Sequence, residues 1–122
     1  MTLSSVALVT GGSRGIGAAV VRALAAQGYT VVFSYRAAAD DAASVVSAVH
    51  DGNGRAVAVR ADAAVPADLD ALFRTVDGIA APLRVLVNNA AVRGPLSRFA
   101  RVDAETLRQI IDVNLVGAML CT

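Results

Sequence analysis

An apolar run that breaks abruptly into glycines constrains this chain more than any other feature. Residues 8 to 17 read Leu-Val-Thr-Gly-Gly-Ser-Arg-Gly-Ile-Gly, and Val6 to Val9 form a short β-branched and apolar run suited to a buried parallel strand. Gly11, Gly15 and Gly17 permit a tight turn and leave no Cβ between the main chain and an approaching anion. A helical pattern opens near Gly15, so unpaired N–H groups and the positive end of a helix dipole would face that turn. A strand that hands the backbone to a helix N-terminus in this way builds a phosphate site. The alternative is a Gly-rich turn that only joins a strand to a helix.

The same rhythm runs on. Residues 15 to 27 carry Ile16, Val20 and Leu24 at helical spacing and stop at Gly28, a natural residue to follow a helix. Thr30 to Tyr35 is a second β-branched run, and 38 to 50 read as a second helix closed by Asp51-Gly52-Asn53-Gly54. Arg55 to Arg60 alternates around Val57 and Val59 as a third strand. Pro66 to Ile79 forms a third helix with its proline near the first turn. Val85, Leu86 and Val87 make a fourth strand, followed by Asn88-Asn89-Ala90-Ala91 and a loop containing Gly94 and Pro95. Asp103 is placed to cap a last helix still running at Thr122. Four such alternations with short links predict parallel strands, right-handed crossovers and an α/β open doubly wound sheet of the Rossmann type, in strand order 3-2-1-4.

At 122 residues the chain holds at most one domain, and a small one. Its hydrophobic fraction of 56% is high and predicts strands buried on both faces. Eleven basic and ten acidic residues give a net charge of +1 without a basic cluster, which argues against nucleic acid and anionic membrane as partners and leaves room for a small anionic ligand. Arg or Asp interrupts each apolar run before it could span a bilayer, and Met-Thr-Leu-Ser-Ser lacks the basic region of a secretory signal. Cys121 is the only cysteine and cannot form an intrachain disulfide, in keeping with a cytoplasmic protein. His50, beside Asp51 at a predicted helix end, reads as a surface residue favoured by the helix dipole. Neither it nor Cys121 has the companions of a metal site or a Cys-His nucleophile, so no metal is expected.

The glycine spacing departs from the common G-x-G-x-x-G. Thr10-Gly11-x-x-x-Gly15-x-Gly17 resembles the T-G-x-x-x-G-x-G pattern of the short-chain dehydrogenase/reductase family, and further signatures extend the resemblance over essentially the whole chain. It implies that Gly11, Ser13, Arg14, Gly15, Ile16 and Gly17 receive a nicotinamide dinucleotide at the carboxyl ends of the strands. Asp62 matches the family's acidic residue that accepts from the adenine amino group, with the Ala63 backbone beside it; taken alone it would read as a loop residue or a helix cap. Asn88-Asn89-Ala90-Ala91 resembles the family's N-N-A-G segment, whose residues, here Asn89, Ala90 and Ala91, border the ribose. Ala91 replaces a glycine, which should change the backbone slightly. Taken alone, the two asparagines could merely make a turn.

Asn114 corresponds by the same resemblance to the asparagine of the Asn-Ser-Tyr-Lys catalytic set. The resemblance implies that it holds a local helix distortion and an ordered water. Leu107, Ile111, Asn114, Ala118 and Cys121 also follow a four-three spacing along one helical stripe, where Asn114 is the only strongly polar member. A buried amide there needs hydrogen-bond partners, and a local backbone carbonyl would be the simplest one.

Selectors for NAD in this fold carry an acidic side chain at the end of the second strand. Here Tyr35 and Arg36 occupy that place, and Arg14 can approach a 2′-phosphate from the other side. The family uses basic residues at both positions for NADP, so NADP(H) is expected over NAD(H). The family's Tyr-x-x-x-Lys pair and its upstream serine would lie beyond Asn114; Tyr29 and Tyr35 belong to the second strand and its approach, and no such pair occurs. The last helix also finishes without a stop signal. The expectation is therefore the N-terminal half of a reductase, similar to 3-oxoacyl-carrier-protein reductases and acting on a small-molecule carbonyl or alcohol. Apolar surface left uncovered would favour homo-oligomers. A dinucleotide-binding module without redox chemistry and an inactive fragment are the alternatives.

Overall fold

The Val6–Val9 run becomes β1, and each of its four side chains is fully buried, because parallel strands at the centre of a sheet are covered on both faces. The structure, a computed structural model, describes residues 4–122; Met1 to Leu3, part of the stretch read above for a leader, lie outside the described residues. After β1 come α1 (Gly15–Ala26), β2 (Thr30–Tyr35), α2 (Ala39–Asp51), β3 (Arg55–Arg60), α3 (Pro66–Asp77) and β4 (Leu83–Val87). The strands pair in parallel in the order β3-β2-β1-β4.

Alternation along the strands divides the interior into two layers. Ala7, Val9, Val31 and Phe33 meet Ala18, Val21 and Ala25 of α1 and Ala42, Val45 and Val49 of α2. Val6, Leu8 and Val32 meet Leu69, Leu72 and Val76 of α3, together with Cys121. Gly28 follows α1 with φ +99°, a left-handed turn that glycine adopts without strain. The expectation of strands buried on both faces holds only for β1 and β2. β3 and β4 are the sheet's edges in this chain; Val57 and Leu83 are each 39% exposed.

The last predicted helix departs from a single regular helix. A 3₁₀ turn, Phe99–Arg101, precedes α4 (Ala104–Ile111), a π turn (Asp112–Gly117) follows, and α5 (Ala118–Cys121) ends it. Asp103 caps α4 as expected, accepting from the Thr106 N–H at 2.7 Å. That hydrogen bond holds the Asp103 carboxyl below the usual carboxylate range. Among the described residues no helix is long and apolar enough to cross a membrane.

Candidate functional site

After β3 the chain crosses to the far side of β1 to make β4, so the loops after β1 and β4 diverge from a common point. A cleft of about 290 Å³ opens there, at the carboxyl ends of all four strands. The loop after β1 supplies Gly11, Ser13 and Arg14; the end of β2 supplies Ser34, Tyr35 and Arg36. Ala61, Asp62 and Ala63 come from the loop after β3, and Asn89, Ala90, Ala91 and Val92 from the loop after β4, with Val113 closing one side.

The glycine turn is fixed from three directions. Gly11 has φ +72°, and a Cβ there would come within 3.0 Å of the Ala90 Cα. Its N–H donates to Ser34 Oγ at 3.1 Å, while the Gly12 N–H donates to the Ser34 carbonyl at 2.9 Å. Asn89 Nδ2 donates to the Thr10 and Gly11 carbonyls at 3.1 and 2.9 Å. Thr10 returns the contact, its Oγ1 accepting from the N–H groups of Asn89 and Ala90 at 3.1 and 3.0 Å. Helix α1 then starts without a side-chain cap, which leaves its first N–H groups open toward an anion.

Of the residues singled out in the sequence, Gly11, Ser13, Arg14, Tyr35, Arg36, Asp62, Ala63, Asn89, Ala90 and Ala91 line the cleft. Gly15, Ile16, Gly17 and Asn114 do not. Gly17 acts by packing: a Cβ there would overlap the Gly11 carbonyl oxygen and come within 2.6 Å of Asn89 Nδ2. Ile16 is 77% exposed. Asp62 Oδ1 accepts from the Ala64 N–H at 2.9 Å, a local turn that orients the carboxylate at the rim. Arg14 lines the cleft while its Nε stands 3.5 Å from Asp41 Oδ2 of α2.

Asn114 is exposed, contrary to the buried stripe read from its spacing. Ile111 of the same stripe is half exposed as well, and α4 buries none of its residues; from Asp112 on, the buried positions are Val113, Gly117 and Cys121. The amide is satisfied by a distant backbone rather than a local carbonyl: Nδ2 donates to the Val92 carbonyl at 2.7 Å, and Oδ1 accepts from the Val92 N–H at 2.8 Å. Gly117 lets this segment approach the loop after β3, since a Cβ there would come within 2.6 Å of the Ala63 carbonyl oxygen. Burial pushes the Cys121 thiol up, keeping it a neutral core side chain. No cluster of metal-ligating side chains occurs among the described residues.

Gly12, Ser34, Ala61, Val92, Val113 and Gly117 were not singled out in the sequence, and Thr10 was read only as part of the glycine motif. Only Gly117, a glycine inside a helical pattern, carried a local signal.

A parallel sheet with a glycine turn at its switch point defines a Rossmann-type nucleotide-binding fold. The model of the short chain dehydrogenase family matches residues 5–122, and the chain belongs to that family. It is similar to a 3-oxoacyl-[acyl-carrier-protein] reductase of Synechocystis, with 40% identity over 119 residues that cover 98% of this chain and 48% of that protein. It also superposes on a short-chain dehydrogenase/reductase from Serratia marcescens with a TM-score of 0.91 at 39% identity, covering 96% of this chain and 47% of the other. A metagenomic short-chain oxidoreductase solved in complex with NADP gives a TM-score of 0.91 at 32% identity, over 98% of this chain and 54% of that one. The chain spans about half the length of the curated relatives it matches.

Proposed function

We propose that the protein is an NADP(H)-dependent oxidoreductase that interconverts a small-molecule carbonyl compound and its alcohol, with these residues forming the N-terminal, dinucleotide-binding part of its Rossmann domain. The observation that carries this reading is the meeting of Arg14 and Arg36 on the cleft beside Tyr35, where an NAD-selective site would present a carboxylate. The remaining residues fit the same ligand. The uncapped start of α1 and the Cβ-free Gly11 suit a pyrophosphate, with Ser13, Gly15, Ile16 and Gly17 in the same turn. Asp62 and Ala63 suit the adenine edge, and Asn89, Ala90 and Ala91 the ribose. The NADP complex of the metagenomic relative supports the choice of cofactor.

When bound, the cofactor supplies or accepts the hydride, and the protein's part is to bind and orient it. Asn114 acts in this reading by holding Val92 and the π turn, which places the wall of the cleft, rather than by moving a proton itself. Work in the cytoplasm belongs to the same reading, as does a homo-oligomer, for which the exposed apolar side chains of Ile111, Leu115 and Met119 offer a surface.

Arg36→Asp in the whole protein tests the cofactor. Removing one charge-assisted contact and adding a repulsive one should shift the NADP/NAD affinity ratio toward NAD by about tenfold or more. An unaltered ratio would remove the assignment.

A further inference from the structure

The residues proposed to read the adenosine end of the cofactor are joined behind the cleft by a hydrogen-bonded bridge. Asp68 lies in the first turn of α3. Its Oδ2 accepts from the Asp62 N–H at 2.9 Å and from Arg60 Nη1 at 3.0 Å. The same Arg60 guanidinium donates through Nε to the Arg36 carbonyl at 3.2 Å. One carboxylate and one guanidinium thus span the loop after β2 and the loop after β3, just past the last rung of the ladder, where the Ala61 N–H donates to the Tyr35 carbonyl at 2.9 Å.

An exposed ion pair by itself contributes little to stability. Arg60 is indeed largely exposed, with 57% of its side-chain surface accessible, but Asp68 retains only 27%. What distinguishes this pair is its partners. Both groups end on backbone atoms of residues that line the cleft, so they set where the main chain of Arg36 and of Asp62 stands. A side chain on a loop can read a phosphate or an amino group with precision only if its backbone is held.

We infer that Asp68 and Arg60 are positioning residues for the adenosine end of the dinucleotide, Asp68 acting on Asp62 directly and on Arg36 through Arg60. The inference rests on the cofactor reading above. It predicts an ordered pattern: the Arg60 arm serves the 2′-phosphate, whereas the Asp68 carboxylate serves both the phosphate and the adenine.

The test uses two probes on the whole protein, 2′,5′-ADP and 5′-AMP, with affinities measured by calorimetry or ligand-observed NMR and folding checked by circular dichroism at the same temperature. Arg60→Met should weaken 2′,5′-ADP by about fivefold while changing 5′-AMP by less than about twofold. Asp68→Ala should weaken both probes by about fivefold or more. Should Asp68→Ala fail to fold, Asp68→Asn takes its place. Its amide oxygen can still accept from the Asp62 N–H but, uncharged, holds the Arg60 guanidinium more weakly, so it should leave 5′-AMP within about twofold and weaken 2′,5′-ADP by more than that, though less than Arg60→Met does. A role confined to helix α3 would lower the melting temperature and leave the affinity of the folded variants for both probes unchanged. Folded Arg60→Met that loses both probes equally, or folded Asp68 variants with wild-type affinity for both, would overturn the inference. A wild-type protein that binds 2′,5′-ADP no more tightly than 5′-AMP would instead sink the NADP assignment, and the 5′-AMP affinity of Asp68→Ala would then decide the role of Asp68 alone.

Discussion

Thr10 closes the crossing between β1 and β4 with one hydroxyl, which accepts from two successive N–H groups, those of Asn89 and Ala90. Thr10 is 3% exposed, so water cannot readily replace that acceptor. Thr10→Val keeps the shape and removes the acceptor, leaving two N–H groups short of a partner. It should destabilise the protein by ~2 kcal/mol, whereas Thr10→Ser should recover most of the loss. Urea unfolding of the two variants is the check, and a valine variant as stable as wild type would show that the Asn89 amide alone holds the turn. The case also shows why part of the site was hidden in the sequence. Gly11, Asp62 and Asn89 stand in short patterns that can be read locally. Thr10 stands in such a pattern too, but the role of its hydroxyl, like that of Ser34, depends on partners 79 and 23 residues away that only the parallel register of β1 with β2 and β4 brings together.

At the scale of elements, β-branched runs and their glycine and proline punctuation located the four strands and the first three helices, because those signals are local and each element obeys its usual period. The π turn Asp112–Gly117 obeys no such period. Spacing along one stripe could not say which side of the segment is covered: Ile111, in the regular α4, is half exposed, and Asn114 is exposed with its amide turned to Val92. Its two hydrogen bonds to Val92 staple the loop after β4 to the helix across 22 residues, much as a strand residue would pair. This separates stability from rate. Asn114→Leu should cost about 1 kcal/mol or less, since the site is exposed and water can serve Val92. Turnover of the whole protein should nevertheless fall much further than cofactor affinity, because Val92 lines the cleft. Near-normal turnover at equal cofactor occupancy would reduce Asn114 to a surface residue.

At the scale of the whole molecule, the residues that line the cleft suit the holding of a dinucleotide in the reading proposed above. The sheet presents β4 as an edge in this chain, and Leu115, Met119 and Leu120 of the last helical segments are more than half exposed. The ionisable side chains that line the cleft are Arg14, Tyr35, Arg36 and Asp62. Asp62 accepts from the Ala64 N–H and Tyr35 ends β2, and the 122 residues contain no lysine and so no Tyr-x-x-x-Lys pair. Carbonyl reduction needs a proton delivered to the developing alkoxide as well as a hydride, and positioning cannot replace that donor. These 122 residues produced alone should therefore show no reductase turnover at saturating NADPH. The measurement is NADPH consumption by the purified polypeptide with a reactive diketone, against a control cleared of host reductases. Steady consumption above that control would mean that a proton donor is at work among these residues and that the division between a cofactor-holding part and a chemical part is mistaken.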